Sequence, residues 1–229
     1  MNNVAAATDK FPRPIVTVDV VLMTLLDGEL AITCVERSEE PWKGRLSLPG
    51  GYVHTDKDGS VEDTARRVLR TKVGVEISYL EQLQTFSGPS RDPRDWSVSV
   101  AYCALTRPEV VTTLNPAARL VKISELPHLP FDHSAIVEAA LRRVQNKASY
   151  SSLPTFLLPN AFTLSEMQKV YEQVLGGRLD RVSFRRKMIE QGFVEPIKGK
   201  FKTGVQRPAQ LYHLKKQVLT AFGRALQPE

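Results

Sequence analysis

One helix of the sequence carries cations at the positions where a metal-binding helix would carry acids. Residues 59–75 read GSVEDTARRVLRTKVGV. Ser60 is suited to the N-cap with Asp63 placed to complete a capping box, and Gly74 is suited to end the helix. One apolar face is formed by Val61, Ala65, Val68 and Leu69. Beside that face, where a hard cation would need carboxylates, stand Arg66, Arg67, Arg70, Thr71 and Lys72.

The chemistry of this helix favours anion binding over metal binding. Positions 68, 71 and 72 lie three and four residues apart, so they are expected to share one helical face. That face presents two methyl groups, a hydroxyl and an ammonium, and the ammonium repels Mg²⁺. Together with Arg67, Lys72 offers positive charge to a phosphate-bearing ligand. The alternative is that the acids Asp56, Asp58 and Glu62 recruit a cation.

Positive charge is concentrated in the last part of the chain. The 229 residues include 31 Lys and Arg against 25 Asp and Glu, with 42% hydrophobic and 24% charged residues. From residue 161 onward there are 13 Lys and Arg against 6 Asp and Glu, which indicates a polyanionic partner for this part. We find neither an apolar run of about 18 residues nor a cleavable signal, so we expect a cytoplasmic protein without a membrane span.

The first 148 residues mix strand and helix patterns. Residues 15–26 and 30–36 predict two strands joined by a turn at Asp27-Gly28, residues 97–105 and 120–123 predict further strands, and residues 132–146 have the apolar period of a helix. Cys34 and Cys103 lie within strand patterns and are expected to be core residues rather than a disulfide. This part is therefore predicted to be an α/β or α+β domain.

The basic tail follows residues 149–160, which we interpret as a linker or docking strap. In residues 161–229 one predicted helix is capped by Thr163 and Glu166 and ends at Gly176, and a second begins at Asp180 and ends at Gly192. Two strands around a Lys-rich turn follow, and then a third predicted helix over residues 214–226. This order of elements is that of a winged helix-turn-helix domain.

The second helix of the tail and its hairpin are predicted to bind DNA. Phe184 and Met188 lie one turn apart and are expected to face the core, which leaves the cations of this helix pointing outward. We expect the hairpin lysines to have no acidic neighbour, and Arg207 before Pro208 could enter a minor groove. The alternative is an ordinary solvated surface. The predicted DNA-binding residues are Arg181, Ser183, Arg185, Arg186, Lys187, Lys198, Lys200, Lys202 and Arg207.

The helix of residues 59–75 resembles the Nudix box, G-x5-E-x7-R-E-U-x-E-E-x-G-U, in which U is a bulky apolar residue. The matching residues are Gly51, Arg67, Leu69, Gly74 and Val75. The preceding stretch VERSEEPWKGRLSLPGGYV is similar to the strand, loop and LPGG turn of that family. The metal-binding glutamates are replaced by Val68, Thr71 and Lys72, so the resemblance implies a Nudix scaffold that binds a diphosphate without cutting it.

Other stretches are similar to Nudix-related transcriptional regulators of the NrtR-like type. These are SRDPRDWSVSVAY at 90–102, LPFDHSAIVEAAL at 129–141 and the FRRK and RPA motifs of the tail. Trp96 could stack on a purine or anchor the core, and His133 is a helix-start residue or a catalytic base. The expected effector-binding residues are Arg37 beside Glu36, Gly50, Gly51, Arg67, Lys72, Arg91, Asp92, Arg94 and Trp96.

The sequence thus predicts an α+β protein, a Nudix α/β/α sandwich with a mixed sheet over residues 1–148 and a winged helix-turn-helix over 161–229. The resemblance implies a homodimeric DNA-binding regulator, expected to be a repressor that acts in NAD metabolism. It would sense ADP-ribose or a related nucleotide and bind palindromic operator DNA. No cofactor is expected, and Mg²⁺ only if hydrolysis persists. The alternatives are a Mg²⁺-dependent Nudix hydrolase, a sugar-responsive regulator that binds a pentose, and a scaffold that only recruits a partner.

Overall fold

The protein, described by a computed structural model over residues 13–204 and 208–228, is organised around one mixed β-sheet. Its strands are β1 (Ile15–Leu26), β2 (Glu29–Glu36), β3 (Leu46–Ser47), β4 (Gly50–Tyr52), β5 (Tyr79–Gly88), β6 (Ser97–Leu105) and β7 (Ala118–Lys122). The order is β3-β2-β1-β6-β5, with β4 also paired to β1 and β7 to β2. Strand β1 runs parallel to β6 and antiparallel to β2, which confirms the predicted mixed sheet.

Helices cover both faces of this sheet. Helix α1 (Val61–Val68) packs on the face that receives Val20 and Leu22 of β1, and helix α2 (His133–Tyr150) packs on the face that receives Val21 and Met23. Successive side chains of a strand point to opposite faces, so one apolar strand supplies both cores. The predicted α/β/α sandwich is confirmed.

Most of the turns and helix caps predicted from the sequence are present in the structure. Asp27 and Gly28 both have positive φ in the β1–β2 turn. Ser60 caps α1 by accepting the backbone N–H of Asp63, but the Asp63 carboxylate accepts the Ser60 hydroxyl instead of completing the predicted capping box. After α1 the chain makes one π-helical turn, Leu69–Val73, before Gly74 ends the helix with φ 88°.

Both cysteines are buried and free, as predicted. Cys34 lies in β2 and Cys103 in β6, among the apolar residues of the core. Burial raises the pKa of each thiol to about 12, so neither is a nucleophile at neutral pH.

Residues 149–160 are a packed strap rather than an exposed linker. Helix α2 continues to Tyr150, and a short 3₁₀ helix follows over Leu153–Leu157. Leu153, Phe156 and Leu157 are buried within the same apolar cluster as α2 and the tail. The two parts of the chain therefore share one continuous core.

The tail has the predicted winged helix-turn-helix. Its elements are α3 (Leu164–Leu175), α4 (Arg181–Glu190), β8 (Val194–Lys202) and β9 (Ala209–Leu214). Thr163 and Glu166 form the predicted capping box, and Asp180 caps α4. Tyr171 of α3 meets Phe184 of α4 edge to face, with ring centroids 5.3 Å apart. In the described residues no helix is long and apolar enough to cross a membrane.

The prediction of a third helix in the tail, over residues 214–226, is wrong. Residues 215–226 run without regular helix, and Ala221 forms a β-bridge with Ser151. The backbone N–H of Phe222 donates to the carbonyl of Tyr150, and that of Leu226 donates to the carbonyl of Ser149. The segment has a helical pattern, but its backbone groups are satisfied by the end of α2 instead, so tertiary contact overrides local preference.

A buried ion-pair network joins the sheet to the start of α2. Arg91 donates to both carboxylate oxygens of Asp132 at 2.8 and 2.9 Å and to Asp19 Oδ2 at 3.1 Å. Ser99 donates to the same oxygen of Asp19 at 2.6 Å. His133 Nδ1 accepts the N–H of Leu48, so its Nε2 carries the proton that faces Asp19 Oδ1 at 3.4 Å.

The charged form of Asp19 is stabilised by these partners. Burial alone raises the pKa of Asp19, but the attraction and hydrogen bond of His133, the hydrogen bond from Ser99 and the charge of Arg91 together hold it well below its usual value. A lowered folded-state pKa stabilises the fold at pH values above the unfolded-state pKa, and this contribution is lost as the pH falls through the folded-state value.

We therefore predict that Asp19→Asn flattens the acid dependence of stability. The wild-type free energy of unfolding should fall more steeply between about pH 5 and pH 2 than that of the variant, because the variant has no carboxylate to protonate. At neutral pH the variant should lose about 3 kcal/mol, since removing one partner leaves the Arg91 charge under-compensated. Urea unfolding over a pH series measures both, with the exposed-pair variant Glu62→Gln as control. If the free energy of unfolding falls equally steeply with decreasing pH in the wild type and in Asp19→Asn, the prediction is contradicted.

Candidate effector cavity and DNA-binding surface

A cavity opens at one end of the sheet, beside the π-helical turn. Its volume is about 540 Å³, within the range typical of small-molecule sites. Strands β1 and β2, the turn between β3 and β4, the π-helical turn and the loops at 91–94, 115–117 and 131–133 contribute its walls. Of the predicted effector-binding residues, it is lined by Arg37 with Glu36, Gly50, Gly51, Lys72, Arg91, Asp92 and Arg94.

The floor of the cavity is the network of Asp19, Arg91 and His133, which all line it. Gly50 pairs with Asp19 across β1 and β4. A Cβ added at Gly50 would lie 2.0 Å from Asp19 Oδ1 and 3.0 Å from the carbonyl oxygen of Val18, so glycine is required for the carboxylate to occupy this place. The LPGG turn thus shapes the floor through the absence of a side chain.

An aromatic and guanidinium wall borders the floor. Phe131 has φ 58°, a conformation that aromatic residues rarely adopt, and its ring meets that of Trp42 edge to face with centroids 4.5 Å apart. The guanidinium of Arg37 lies 4.8 Å from the centre of the Phe131 ring, and that of Arg94 lies 5.6 Å from the ring centre of Tyr52. Flat ring faces combined with cations suit a ligand that has both an aromatic base and phosphates.

The helix side of the cavity has no metal-ligand chemistry. Val68 is 1% exposed and packs beneath Gly51, so its side chain belongs to the core and does not face the cavity. Thr71 lines the cavity, but its hydroxyl donates to the carbonyl of Arg67 at 2.8 Å. The π-helical turn changes the angular spacing after residue 68, which is why the three positions do not share one face as predicted.

Lys72 supplies positive charge to the cavity. More than a third of its surface is accessible, yet desolvation by the surrounding walls lowers the pKa of its ammonium group; the charge of Asp19 opposes this shift and that of Arg37 adds to it. Within residues 13–204 and 208–228, Lys72 takes part in none of the ion pairs shorter than 4.0 Å. A cation held without an acid partner is prepared for an anionic ligand.

Arg67, a predicted effector-binding residue, is not among the residues that line the cavity. Its guanidinium donates to both oxygens of Asp58 at 2.7 and 2.6 Å and to the carbonyl of Tyr52 at 2.8 Å. These hydrogen bonds hold the pKa of the Asp58 carboxyl well below its usual value. Arg67 therefore fixes the loop before α1 against β4.

Trp96 also lies outside the cavity lining. It is 45% exposed, so it does not anchor the core, and its stacking on a purine stays a prediction. Its backbone carbonyl instead accepts the N–H of Ile15 and pairs the start of β1 with β6. Asp92 does line the cavity, where it receives two hydrogen bonds from the Arg94 guanidinium at 2.9 and 2.6 Å.

The available donors do not suit Mg²⁺. Asp58 is fully engaged by Arg67, Thr64 and the N–H of His54, and Glu62 pairs with Arg66 on the surface. In the part of the chain that the structure describes, no group of three or more His, Cys, Asp or Glu is placed to hold a metal ion. A hard cation needs several carboxylate or carbonyl oxygens, and this helix directs an ammonium and a bonded hydroxyl to that place.

Several cavity residues were not identified from the sequence. Asp19 had a usable signal, since it is the single charge in the apolar run IVTVDVVLMTLL, and a lone buried charge requires partners. His133 was considered only as a helix start or a base, whereas it both begins α2 and orients Asp19. Tyr52 and Phe131 had no distinguishing sequence signal, because their roles depend on loop conformation.

The second candidate surface is the outer side of α4. Phe184 and Met188 are buried, as predicted, and Arg181, Ser183 and Arg186 are exposed. Two of the predicted cations are instead turned toward neighbouring elements. Arg185 donates to the hydroxyl of Ser165 on α3 at 2.9 Å, and Lys187 lies over the ring of Phe222 at 5.3 Å and donates to the carbonyl of Arg224.

The hairpin β8–β9 forms the wing beside α4. Lys198 and Lys200 are exposed on it. Lys202 forms an ion pair with Glu166, which corrects the expectation that no acid balances the hairpin lysines. Phe162 pairs with Tyr212 through two backbone hydrogen bonds, so a third short extended segment supports the wing. Arg207 lies outside the described residues.

Two family models match the chain. The NUDIX domain covers residues 14–144, and the NrtR DNA-binding winged helix domain covers residues 154–214. A protein of Acinetobacter baylyi, described as an ADPR responsive transcriptional repressor, is 38% identical over 214 residues, which is 88% of this chain and 82% of that protein. An ADP-ribose pyrophosphatase of Methanocaldococcus jannaschii is 28% identical over 132 residues, 57% of this chain and 75% of that protein.

Solved structures agree with these matches. NrtR of Shewanella oneidensis in complex with a 27mer DNA has a TM-score of 0.82 and 36% identity, over 93% of this chain and 99% of that one. The NUDIX domain of the same protein complexed with ADP ribose has a TM-score of 0.54 and 35% identity, over 59% of this chain and 92% of that one. Both the Nudix domain and the winged helix domain thus have counterparts in related proteins, and this chain belongs to the NrtR-like family, in which a Nudix domain precedes a DNA-binding winged helix domain.

Proposed function

We propose that this protein is a homodimeric, cytoplasmic transcriptional repressor whose Nudix domain binds ADP-ribose or a related nucleotide and thereby changes its affinity for operator DNA in the control of NAD metabolism. The observation that carries the proposal is the cavity itself. It holds Lys72, which has no acidic partner among the described residues, where a Nudix hydrolase would hold metal ligands, and it is joined through one core to a winged helix. The similarity to the Acinetobacter baylyi protein, which is described as an ADPR responsive repressor, supports this choice of effector.

The cavity matches the chemistry of a nucleotide diphosphate. Lys72 and Arg37 supply charge for the phosphates, and the rings of Tyr52 and Phe131 supply flat surfaces for a base. The carboxylates of Asp19 and Asp92, which also line the cavity, are paired with Arg91 and Arg94. A pentose or its phosphate, the sugar-type alternative, would leave the ring surfaces unused.

Transfer of the signal from cavity to DNA would use the packed connection between domains. Arg91 lines the cavity and binds Asp132 at the N-terminus of α2. Gln145 of α2 donates to the carbonyl of Leu175 at the end of α3, and Ser152 after α2 accepts from and donates to Thr220 of the C-terminal segment. An effector that changes the Arg91 pairing would therefore bias the placement of α2 and of the winged helix.

DNA binding would place α4 in the major groove and the wing beside it. In a twofold-symmetric dimer, two such helices spaced about 34–36 Å apart, or a multiple of that, meet successive half-sites of a palindrome. Arg181 and Arg186 of α4 and Lys198 and Lys200 of the wing are the exposed cations suited to phosphates and base edges.

We predict that Arg186 matters most among the α4 cations. Arg186→Ala should weaken binding of a duplex selected from a random pool by about 5- to 150-fold, since a bidentate arginine contact is worth about 1–3 kcal/mol. Arg185→Ala should have a smaller effect because its guanidinium already binds Ser165, and the double variant should abolish retardation in a gel. The control Arg142→Ala removes an exposed cation of α2 and should bind like wild type. Unchanged retardation by the folded double variant would contradict the assignment of α4.

We predict that Lys72→Ala weakens ADP-ribose binding by about tenfold, because a hydrogen bond to a charged group is worth about 1.5–3 kcal/mol. Isothermal titration calorimetry measures the dissociation constant, and Arg70→Ala, which changes an exposed cation of the π-helical turn outside the cavity, should not alter it. Equal affinities of the Lys72→Ala and wild-type proteins for ADP-ribose would show that Lys72 does not contribute to binding.

The second candidate function is hydrolysis, favoured by similarity to an ADP-ribose pyrophosphatase. It would require Mg²⁺, and we assign no cofactor because Val68, Thr71 and Lys72 do not provide ligands. The same titrations with Mg²⁺ added, followed by chromatography for AMP, separate the two functions. Release of AMP at a rate sensitive to Asp58→Asn would favour the hydrolase.

A further inference from the structure

The outer face of α4 carries an exposed apolar side chain, that of Val182, which is not part of the core. Phe184 and Met188 turn one side of the helix into the core, and at 100° per residue the opposite side receives Val182, Arg186 and Ile189. Val182 is 72% exposed, the highest value among the exposed large hydrophobic residues of the described chain. An isopropyl group held in water gains free energy when a partner covers it.

The position of Val182 indicates which partner would cover it. Asp180 caps α4, so Val182 is the second residue of the helix and lies between the exposed residues Arg181 and Ser183. The first turn of a recognition helix is the part that reaches base edges in the major groove. Arg186 follows four residues later on the same face, where it can contact a neighbouring base or phosphate.

The chemistry of valine restricts what it can recognise there. It has no hydrogen-bonding group, so it cannot read the donors and acceptors of base edges. The only alkyl group on the major-groove edge of a base pair is the 5-methyl group of thymine. Cytosine has only a hydrogen atom at that carbon, and adenine and guanine present polar atoms on this edge.

We propose that Val182 packs against the 5-methyl group of one thymine in each operator half-site and so sets the base preference at that position. This inference rests on the proposed function, because it requires α4 to lie in the major groove. It assigns the choice of one base to an apolar residue, in addition to the phosphate and base-edge contacts proposed for Arg181, Arg186 and the wing lysines.

Replacement of thymine by uracil removes only the methyl group and leaves base pairing intact. The probe is the duplex that the wild-type protein enriches from a random pool, with each thymine of both half-sites replaced in turn. At one position uracil should weaken wild-type binding about fourfold per half-site, the ratio expected for one buried methyl group. Val182→Ala should bind the thymine and uracil forms of that duplex equally, and Val182→Thr, which keeps a methyl group, should retain the preference.

Ile189→Ala is the matched control, since it shortens an exposed apolar residue of the same face nearly two turns away. It should keep the full difference between thymine and uracil. A Val182→Ala protein that still prefers thymine by the wild-type ratio, or a wild-type protein indifferent to uracil at every position, overturns the inference while leaving DNA binding intact. Failure of the wild-type protein to enrich any duplex overturns the proposed function itself. Because Val182 is exposed, unchanged thermal unfolding of the variants verifies that they are folded.

Discussion

The buried pairing of Arg91 with Asp19 and Asp132 is the interaction on which the rest of the structure depends. It takes the charges of Arg91 and Asp19 out of water and partly buries that of Asp132, and such groups are tolerated only when hydrogen bonds satisfy them. Ser99 and His133 meet that condition for Asp19, and Gly50 leaves the space that its carboxylate needs. Because Asp132 immediately precedes α2, the network fixes the helix that carries the winged helix domain relative to the sheet.

The contacts of α1 and of the π-helical turn explain why the helix of the Nudix box is retained without its metal-binding glutamates. Val68 packs beneath Gly51, Arg67 ties the preceding loop through Asp58, and the π-helical turn brings Thr71 and Lys72 to the cavity. Each of these roles supports the shape of the site or its charge. A fixed ammonium can attract phosphates but does not polarise water for attack as a bound metal ion does, and this agrees with the proposed binding of a nucleotide without its cleavage.

The sequence predicted the regular elements well because their signals are local. The caps of α1, α3 and α4, the Asp27-Gly28 turn and the apolar periods each depend on a few adjacent residues. The candidate site was only partly predictable. Lys72 and Arg91 follow from motifs, but the φ of Phe131, the capture of Arg67 by Asp58 and the pairing of Lys202 with Glu166 depend on residues distant in sequence. The C-terminal segment shows the same limit, since its helical pattern yields to hydrogen bonds with the end of α2.

The most direct test of this account measures how ADP-ribose changes DNA affinity when the Arg91–Asp132 pairing is weakened. In the wild-type protein, saturating ADP-ribose should change the dissociation constant for the selected duplex by about 5- to 150-fold, the usual range of allosteric coupling. In Asp132→Asn, ADP-ribose should still bind in calorimetry, but its effect on DNA affinity should fall to less than about a third of the wild-type ratio. An undiminished ratio in that variant would show that the signal does not pass through this pairing.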